Sequence, residues 1–136
     1  MPVVLTPHPG EMARLIGCRI EDVQQNRVET ARSFAEEQKA VVVLKGYQTV
    51  IAAPGRAVLL NKSGNPGMAA AGSGDVLAGM IASLIAQGME PAQAAMCGVH
   101  LHGLAGDRAA ARLSQHAMQP SDMIEELGGL FSNLEK

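Results

Sequence analysis

Residues 64–80 combine a glycine-rich loop, an acidic residue and the start of an amphipathic helix. Gly72-Ser73-Gly74 is predicted to lie at the helix N-terminus, where unpaired backbone N–H groups and the helix dipole favour an anion. Because glycine has no Cβ, the backbone there can approach a phosphate group closely. The glycines before Asp75 are Gly64, Gly67, Gly72 and Gly74, and the apolar residues at helical spacing after it are Val76, Leu77, Met80, Ile81, Leu84 and Ile85.

Asp75 has two interpretations at this position. It can take part in chemistry on a phosphate bound at the helix start, or it can simply complement the helix dipole, as acidic residues in a first turn do. The loop lacks the Gly-Lys-Ser/Thr ending of a P-loop, and Gly72-Ser73-Gly74 lacks the G-x-S-x-G spacing of a nucleophile elbow. The pattern favours anion binding without matching either of those motifs.

Two other polar segments directly follow apolar runs that are typical of strands. Thr6–Glu11 follows Val3–Leu5, and Lys45–Thr49 follows the β-branched run Ala40–Leu44, which suits a strand buried on both faces. In open α/β sheets, ligands bind at the carboxyl ends of the strands. We therefore expect these two segments and Gly64–Asp75 to converge on one site.

Single residues in these segments leave alternatives open. Lys45, with the open backbone of Gly46 beside it, suits a nucleotide phosphate or ribose, but a lysine after a buried strand can also extend to solvent. His8 lies between two prolines and is either a ligand contact or a turn residue that bonds locally at a helix start. His100 and His102 are two apart on a predicted helix and cannot face the same side, so they form no zinc pair.

Bulk properties narrow the function classes. The 136 residues carry a formal net charge of −2, and the hydrophobic fraction of 47% suits a globular core. The Lys and Arg residues are scattered along the chain and only 2% of the residues are aromatic, which argues against nucleic-acid binding. No apolar stretch is long enough for a membrane span, and no secretory signal is recognisable. Cys18 and Cys97 form no CxxC pair. We expect a reducing, cytoplasmic setting and no membrane partner.

The predicted elements indicate a mixed α/β chain with its helices concentrated late. A hairpin is expected at 49–60, and helices at about 9–16, 20–38, 74–87, 91–113 and 120–134. In the helix at 20–38, the residues expected to face inward are Ile20, Val23, Ala31, Phe34 and Ala35. Because the chain opens directly on a strand and few strands are visible, we expect a piece of a larger domain.

Four segments occur in a distinctive order. They are Leu5-Thr6-Pro7-His8-Pro9-Gly10-Glu11, Leu44-Lys45-Gly46, Gly64-Asn65-Pro66-Gly67-Met68-Ala69 and Gly72-Ser73-Gly74-Asp75-Val76-Leu77-Ala78-Gly79. This series resembles the NAD(P)H-hydrate dehydratases over nearly the whole chain. The resemblance implies a ribokinase-like α/β fold, with a mostly parallel sheet flanked by helices. Residues 1–136 would then be the C-terminal portion of the domain, with its N-terminal half missing.

The resemblance also implies the activity and the roles of residues. The family dehydrates NADHX and NADPHX to NADH and NADPH at the expense of ADP or ATP. We expect Mg²⁺ as a cofactor on the nucleotide phosphates. By that resemblance His8 and Asp75 contact the hydrate. From the predicted helix start we further hypothesise that Gly72, Ser73 and Gly74 form an anion hole for the phosphoryl group and that Asp75 is the catalytic base. The nucleotide contacts implied are Lys45, Gly46, Tyr47, Gln48, Thr49 and Gly74. A homo-oligomer, and fusion to or pairing with an NAD(P)H-hydrate epimerase, are further expectations.

Two alternatives remain at this point. A small-molecule kinase of the same fold, acting on a vitamin precursor or a sugar, shares the anion hole and the aspartate. A non-catalytic nucleotide-binding fragment is the other, since the apolar helix at 91–113 predicts hydrophobic surface that a partner would cover.

Overall fold

A computed structural model describes residues 3–69 and 72–134 and places them in two compact units. The first unit contains the chain up to Asn61 together with Met89–Met96, and the second contains Lys62–Gly88 and the chain from Cys97 onward. The first unit holds a sheet and three helices, and the second is helical. The prediction of a mixed α/β chain is confirmed.

The sheet of the first unit has four strands in the order β1-β2-β3-β4, which are Val4–Leu5, Val41–Leu44, Val50–Ala52 and Leu59–Leu60. β1 pairs parallel with β2, with Val4 opposite Val41. The pairs β2–β3 and β3–β4 are antiparallel, so the parallel character expected of the sheet is confined here to β1 and β2. The reason is connection length, because short loops join β2 to β3 and β3 to β4, whereas a parallel pair needs a crossover.

The crossover between β1 and β2 consists of α1 (Pro9–Ile16), α2 (Ile20–Gln25) and α3 (Arg27–Gln38). The single helix predicted over 20–38 is wrong, because the backbone breaks at Asn26, with φ −137° and ψ 45°. Ile20 is also wrong as a core residue, since it is half exposed and its Cδ1 lies beside Gly10 of α1. Val23, Ala31 and Ala35 are fully buried as predicted, and the partly buried Phe34 packs against the same core.

β2 is the centre of this core. All four of its residues are buried, because β1 and β3 pair with its edges and α3 packs against β2 and β3. This confirms the strand predicted from the run without polar alternation. Packing on both faces and pairing at both edges therefore fix the position of the carboxyl end of β2, where the polar segment Lys45–Thr49 begins.

The second unit contains α4 (Ser73–Ala86), the part of α5 (Pro91–Leu113) from Cys97 onward, α6 (Pro120–Leu134) and a 3₁₀ turn at Pro66–Met68. These helices lie within a residue or two of their predicted bounds. The core of this unit is formed by Ala105, Ala109, Met118, Met123 and Leu130. α5 is largely buried as expected, with Met96 and Leu104 half-buried. Among the described residues, no helix is long and apolar enough to cross a membrane.

Candidate functional site

The two polar segments of the first unit lie side by side at the carboxyl ends of β1 and β2. The backbone N–H of Lys45 donates to the carbonyl of Pro7 over 2.9 Å, which continues the parallel pairing past the strands. Two of the three segments that were predicted to converge, Thr6–Glu11 and Lys45–Thr49, are therefore neighbours within this unit. Beside them a shallow cavity of about 390 Å³ is lined by Leu5, Thr6, Pro7, Glu11, Arg14 and Leu15.

His8 caps the N-terminus of α1. Its Nδ1 accepts from the Glu11 N–H over 3.2 Å, and Glu11 Oε1 accepts from the His8 N–H over 3.0 Å, which makes a reciprocal capping box. Donation from the His8 N–H is the main reason why the pKa of the Glu11 carboxyl lies below its usual value. The local interpretation of His8 is thus correct, and because its side chain is 56% exposed, a contact with a ligand is sterically open as well.

The segment after β2 is shaped by Gly46 and by an arginine that sequence reasoning missed. Gly46 has a φ of +143°, and Arg27 of α3 donates to the carbonyls of Leu44 and Lys45 over 3.1 and 3.3 Å. Half-burial of the Arg27 guanidinium lowers its pKa. Because charged donors satisfy both carbonyls where the strand pairing ends, the path of the backbone into Gly46 is well determined.

The side chains that follow point away from the core. Tyr47 is 87% exposed, and Lys45, Gln48 and Thr49 are partly exposed. Gln48 adopts a φ of +52°, and Thr49 Oγ1 donates to the Gly46 carbonyl over 3.2 Å, which tightens the turn. The segment thus offers an ammonium group and an aromatic ring on an anchored turn, the kinds of group that suit an adenine nucleotide.

Gly72–Asp75 forms the start of α4, as predicted. Gly72 is the N-cap with a φ of +94°, and no side chain among the described residues caps this end. The first intrahelical bond runs from the Val76 N–H to the Gly72 carbonyl over 3.1 Å. The N–H groups of Ser73, Gly74 and Asp75 therefore have no acceptor within the helix. They point out of an end that carries the positive pole of the helix dipole, which suits an anion.

Asp75 is exposed in the first turn of α4, at the rim of an apolar groove of about 530 Å³. The groove is lined mainly by residues of α4 and α6, which are Val76, Gly79, Met80, Ser83, Leu84, Gln87, Ile124, Leu127 and Phe131, together with Leu101 of α5. The carboxylate is thus accessible from solvent and not sealed in the core. This is the arrangement that a proton acceptor next to an anion site requires.

The loop Gly64–Met68 is anchored by Asp107 of α5, another residue that sequence reasoning missed. Asp107 Oδ2 accepts from the Gly64 N–H over 2.9 Å, and Asp107 Oδ1 accepts from Asn65 Nδ2 over 3.0 Å. Asn65 Oδ1 in turn accepts from the Gly67 N–H over 3.0 Å. The loop also packs tightly on α5, because a Cβ at Gly106 would overlap Met68 Sδ. Hydrogen bonds to Asp107 therefore fix the backbone of this loop, and the position of Asp107 in the sequence did not indicate this contact.

His102 of α5 is buried, whereas His100 carries an exposed side chain. The prediction that the two do not share a face is confirmed. His102 Nε2 lies 3.1 Å from the Ser73 carbonyl oxygen and 3.4 Å from Ser73 Oγ, a contact that sequence reasoning did not find. No group of three or more His, Cys, Asp or Glu residues suited to a metal occurs in the described part of the chain.

Comparisons with known proteins connect both units to one family. A family model described as NAD(P)H-hydrate dehydratase matches residues 1–128. The chain is 53% identical over 135 residues to the bifunctional NAD(P)H-hydrate repair enzyme Nnr of Moorella thermoacetica, a match that covers 99% of this chain and 26% of that protein.

Solved structures give the same picture. A Bacillus subtilis ADP/ATP-dependent NAD(P)H-hydrate dehydratase, co-crystallised with ATP/Mg²⁺, matches with a TM-score of 0.92 at 36% identity over 97% of this chain and 48% of that one. A ribokinase-like superfamily protein of Enterococcus faecalis matches with a TM-score of 0.84 at 32% identity over 96% of this chain and 44% of that one. The predicted ribokinase-like fold is confirmed, and the chain spans about a quarter to a half of the length of these relatives.

Proposed function

The chain belongs to the NAD(P)H-hydrate dehydratase family, and from this premise we propose that the protein dehydrates NADHX and NADPHX with ADP or ATP as phosphoryl donor. The observation that carries the proposal is the start of α4, which combines uncapped N–H groups and an exposed carboxylate within residues 72–75. Residues 1–136 would form the C-terminal part of the dehydratase domain. A cytoplasmic setting agrees with two cysteines that are both free thiols.

The segment Lys45–Thr49 would bind the adenine nucleotide. Lys45 supplies a positive charge for a phosphate, and the exposed ring of Tyr47 supplies a face for the base or ribose. Arg27 holds the carbonyls of Leu44 and Lys45, so these contacts start from a fixed backbone. His8 would contact the hydrated dinucleotide through the exposed part of its ring.

The anion hole would receive the phosphoryl group that is transferred. N–H groups of Gly72, Ser73 and Gly74 donate to its oxygens, and because they are fixed by the helix they need no reorganisation as charge develops. The hydroxyl oxygen of the hydrate forms a bond to phosphorus while the bond from phosphorus to the nucleotide breaks. Asp75 accepts the hydroxyl proton in this step. The phosphate group of the new ester then leaves, expelled by the electron pair of the ring nitrogen, and loss of a proton from the neighbouring ring carbon to solvent restores the double bond of NADH or NADPH.

A magnesium ion fits this arrangement as part of a nucleotide complex. The groups that the chain offers at the start of α4 are mostly N–H donors, which bind phosphate oxygens and not a cation. Among the described residues no cluster of side chains provides a protein cage for a metal. When bound, the ion would neutralise charge on the nucleotide phosphates, and the residues of this chain would hold the complex through those phosphates.

The experiment that tests this function is incubation of the complete protein with NADHX and either ADP or ATP, followed at the absorbance of reduced nicotinamide. We expect the absorbance to return with one nucleotide consumed for each NADH formed. A small-molecule kinase of the same fold would instead give a stable phosphorylated product. A non-catalytic module would bind nucleotide without turnover.

Assembly is a separate part of the proposal. Ile124 and Phe131 expose 54% and 41% of their surface on α6, and apolar surface of this kind suits contact with a further copy or another domain. We expect a homo-oligomer, and the bifunctional relative from Moorella thermoacetica supports fusion to or pairing with an epimerase. Measurement of the solution mass of the complete protein tests the first expectation.

A further inference from the structure

Two buried polar residues of the second unit are paired with each other. Ser73 and His102 retain only 7% and 8% of their exposure, and they are the buried polar or charged residues in the described part of the chain. Burial of polar groups costs free energy unless they are hydrogen-bonded, so such a pair in an otherwise apolar core has to be explained. Its position is informative, since Ser73 is the first residue of α4 and belongs to the anion hole.

The geometry determines which atom donates. The Ser73 carbonyl oxygen can only accept, so the His102 Nε2 that lies 3.1 Å from it must carry a hydrogen. The Ser73 hydroxyl, 3.4 Å from the same Nε2, is a weaker neighbour. The principal contact is therefore from the imidazole of α5 to the backbone of the first helical residue of α4, and not to a replaceable side chain.

This contact ties the first turn of α4 to α5. Gly72 provides no side-chain cap, Gly74 has no side chain, and Asp75 is exposed. In most helices a capping side chain fixes the first turn, but here such a cap would occupy the N–H groups that an anion needs. The hydrogen bond from His102 to the Ser73 carbonyl fixes the first turn without using the N–H groups of Ser73, Gly74 and Asp75.

We propose that His102 is a positioning residue, which holds Ser73 and thereby fixes the N–H groups of the anion hole where the transferring phosphoryl group is bound. This role rests on the proposed function of that site. It goes beyond it because His102 lies on another helix and acts through the backbone of Ser73. A displaced first turn should cost roughly ten- to hundredfold in turnover, since small misplacements of reacting groups have effects of that size.

The test uses three variants of the complete protein. His102→Ala removes the donor, and His102→Gln retains an N–H near the position of Nε2. His100→Ala is the matched control, because it changes an exposed histidine on the same helix, whose contact with Ser63 Oγ is made by its backbone carbonyl.

Three quantities are measured for each variant: kcat and KM with NADHX, the ratio of the Kd values for ADP and AMP, and Tm. AMP lacks the phosphoryl group that ADP would transfer, so the ratio reports on the groups that bind this phosphoryl group. In His102→Ala we expect kcat to fall roughly ten- to hundredfold and the preference for ADP over AMP to fall, with little change in AMP affinity. His102→Gln should recover most of both losses, and His100→Ala should resemble the wild type.

An unchanged ADP preference in folded His102→Ala would overturn the inference, and so would a folded His102→Gln variant that fails as badly as His102→Ala. If His102→Ala does not fold, the Gln variant decides between these outcomes. If the wild type leaves NADHX unchanged, the proposed function fails, whereas the ADP-to-AMP ratio still tests the role of His102 in anion binding.

Discussion

The segment after β2 and the start of α4 offer polar groups to a ligand in opposite ways. Lys45–Thr49 presents side chains, with Tyr47 87% exposed. Arg27 donates to the backbone carbonyls of Leu44 and Lys45, where this segment begins. Gly72–Asp75 presents backbone N–H groups, and the side chains around them are absent, buried or, at Asp75, charged and exposed. Substitution of side chains should therefore affect binding at the first region, and at the second it should affect chemistry.

Asp75→Asn should have the largest effect. If the carboxylate accepts the hydroxyl proton, its loss should lower turnover of NADHX roughly a hundredfold or more, because contributions of a general base are of this size. Nucleotide affinity should change little, since the N–H groups remain. Steady-state kinetics of the complete protein measure the turnover of NADHX, and titration with ADP measures the nucleotide affinity.

The matched control is Asp122→Asn, which removes a first-turn carboxylate from α6. Both variants weaken the charge–dipole interaction at a helix start, so a shared small loss of stability is expected. Near-normal turnover in Asp75→Asn would mean that Asp75 only complements the helix dipole. It would also contradict the expectation that side chains at the start of α4 affect chemistry.

Gly46→Ala should have the next largest effect. Its φ of +143° is unfavourable for a side chain, and a Cβ would lie 2.9 Å from Arg27 Nη1. We expect a loss of about 1–3 kcal/mol in the free energy of unfolding, together with weaker ADP binding. Gly55→Ala is the control, because its φ of +71° is also positive but its Cβ would meet nothing within 4 Å. Equal losses of ADP affinity in both variants would contradict the idea that the hydrogen bonds from Arg27 to the carbonyls of Leu44 and Lys45 support nucleotide binding.

Lys45→Ala should weaken ADP binding roughly tenfold, as expected for one charge-assisted hydrogen bond. Because Lys45 is only partly buried, the free energy of unfolding should scarcely change. Lys62→Ala, an exposed lysine of the second unit, serves as the control. Unchanged ADP affinity in Lys45→Ala would favour the alternative in which the side chain merely extends into solvent.

Glu11→Gln should have the smallest effect, and it should depend on pH. The pKa of Glu11 is lower in the folded protein than in the unfolded chain, chiefly because its carboxylate accepts the His8 N–H. Its stabilising contribution is therefore complete above the unfolded pKa near 4.5 and is lost as the pH falls through the folded value. The stability difference between wild type and Glu11→Gln, measured by denaturant unfolding from pH 7 to pH 3, should shrink toward zero. A constant difference would contradict the capping role.

Local signals predicted most of the elements. Gly17 at φ +73° and Gly88 at φ +100° end helices where glycine was expected to end them, and the buried run of β2 was recognisable from its lack of alternation. The helix predicted over 20–38 failed because the break at Asn26 has no proline or glycine to announce it. Such breaks are decided by packing and not by propensity.

The site was predictable only in part. The residues that we propose to contact a ligand lie in short segments with glycines and prolines, whose backbone requirements are visible in the sequence. The residues that hold those segments, Arg27, His102 and Asp107, act over separations of 17 to 43 positions, and each looks like an ordinary helical residue. Their contacts follow from tertiary packing, so no local pattern could reveal them.

The most direct measurement of the central claim is the backbone amide spectrum of the complete protein during titration with Mg²⁺ and ADP, and separately with AMP. Hydrogen bonds from Ser73 and Gly74 to a phosphoryl group should move their amide protons downfield with ADP and not with AMP, while Gly79 in the same helix stays unchanged. Both nucleotides should shift the amides of Gly46–Thr49. If ADP shifts only those amides and leaves Ser73 and Gly74 where they were, the start of α4 does not hold the transferring phosphoryl group.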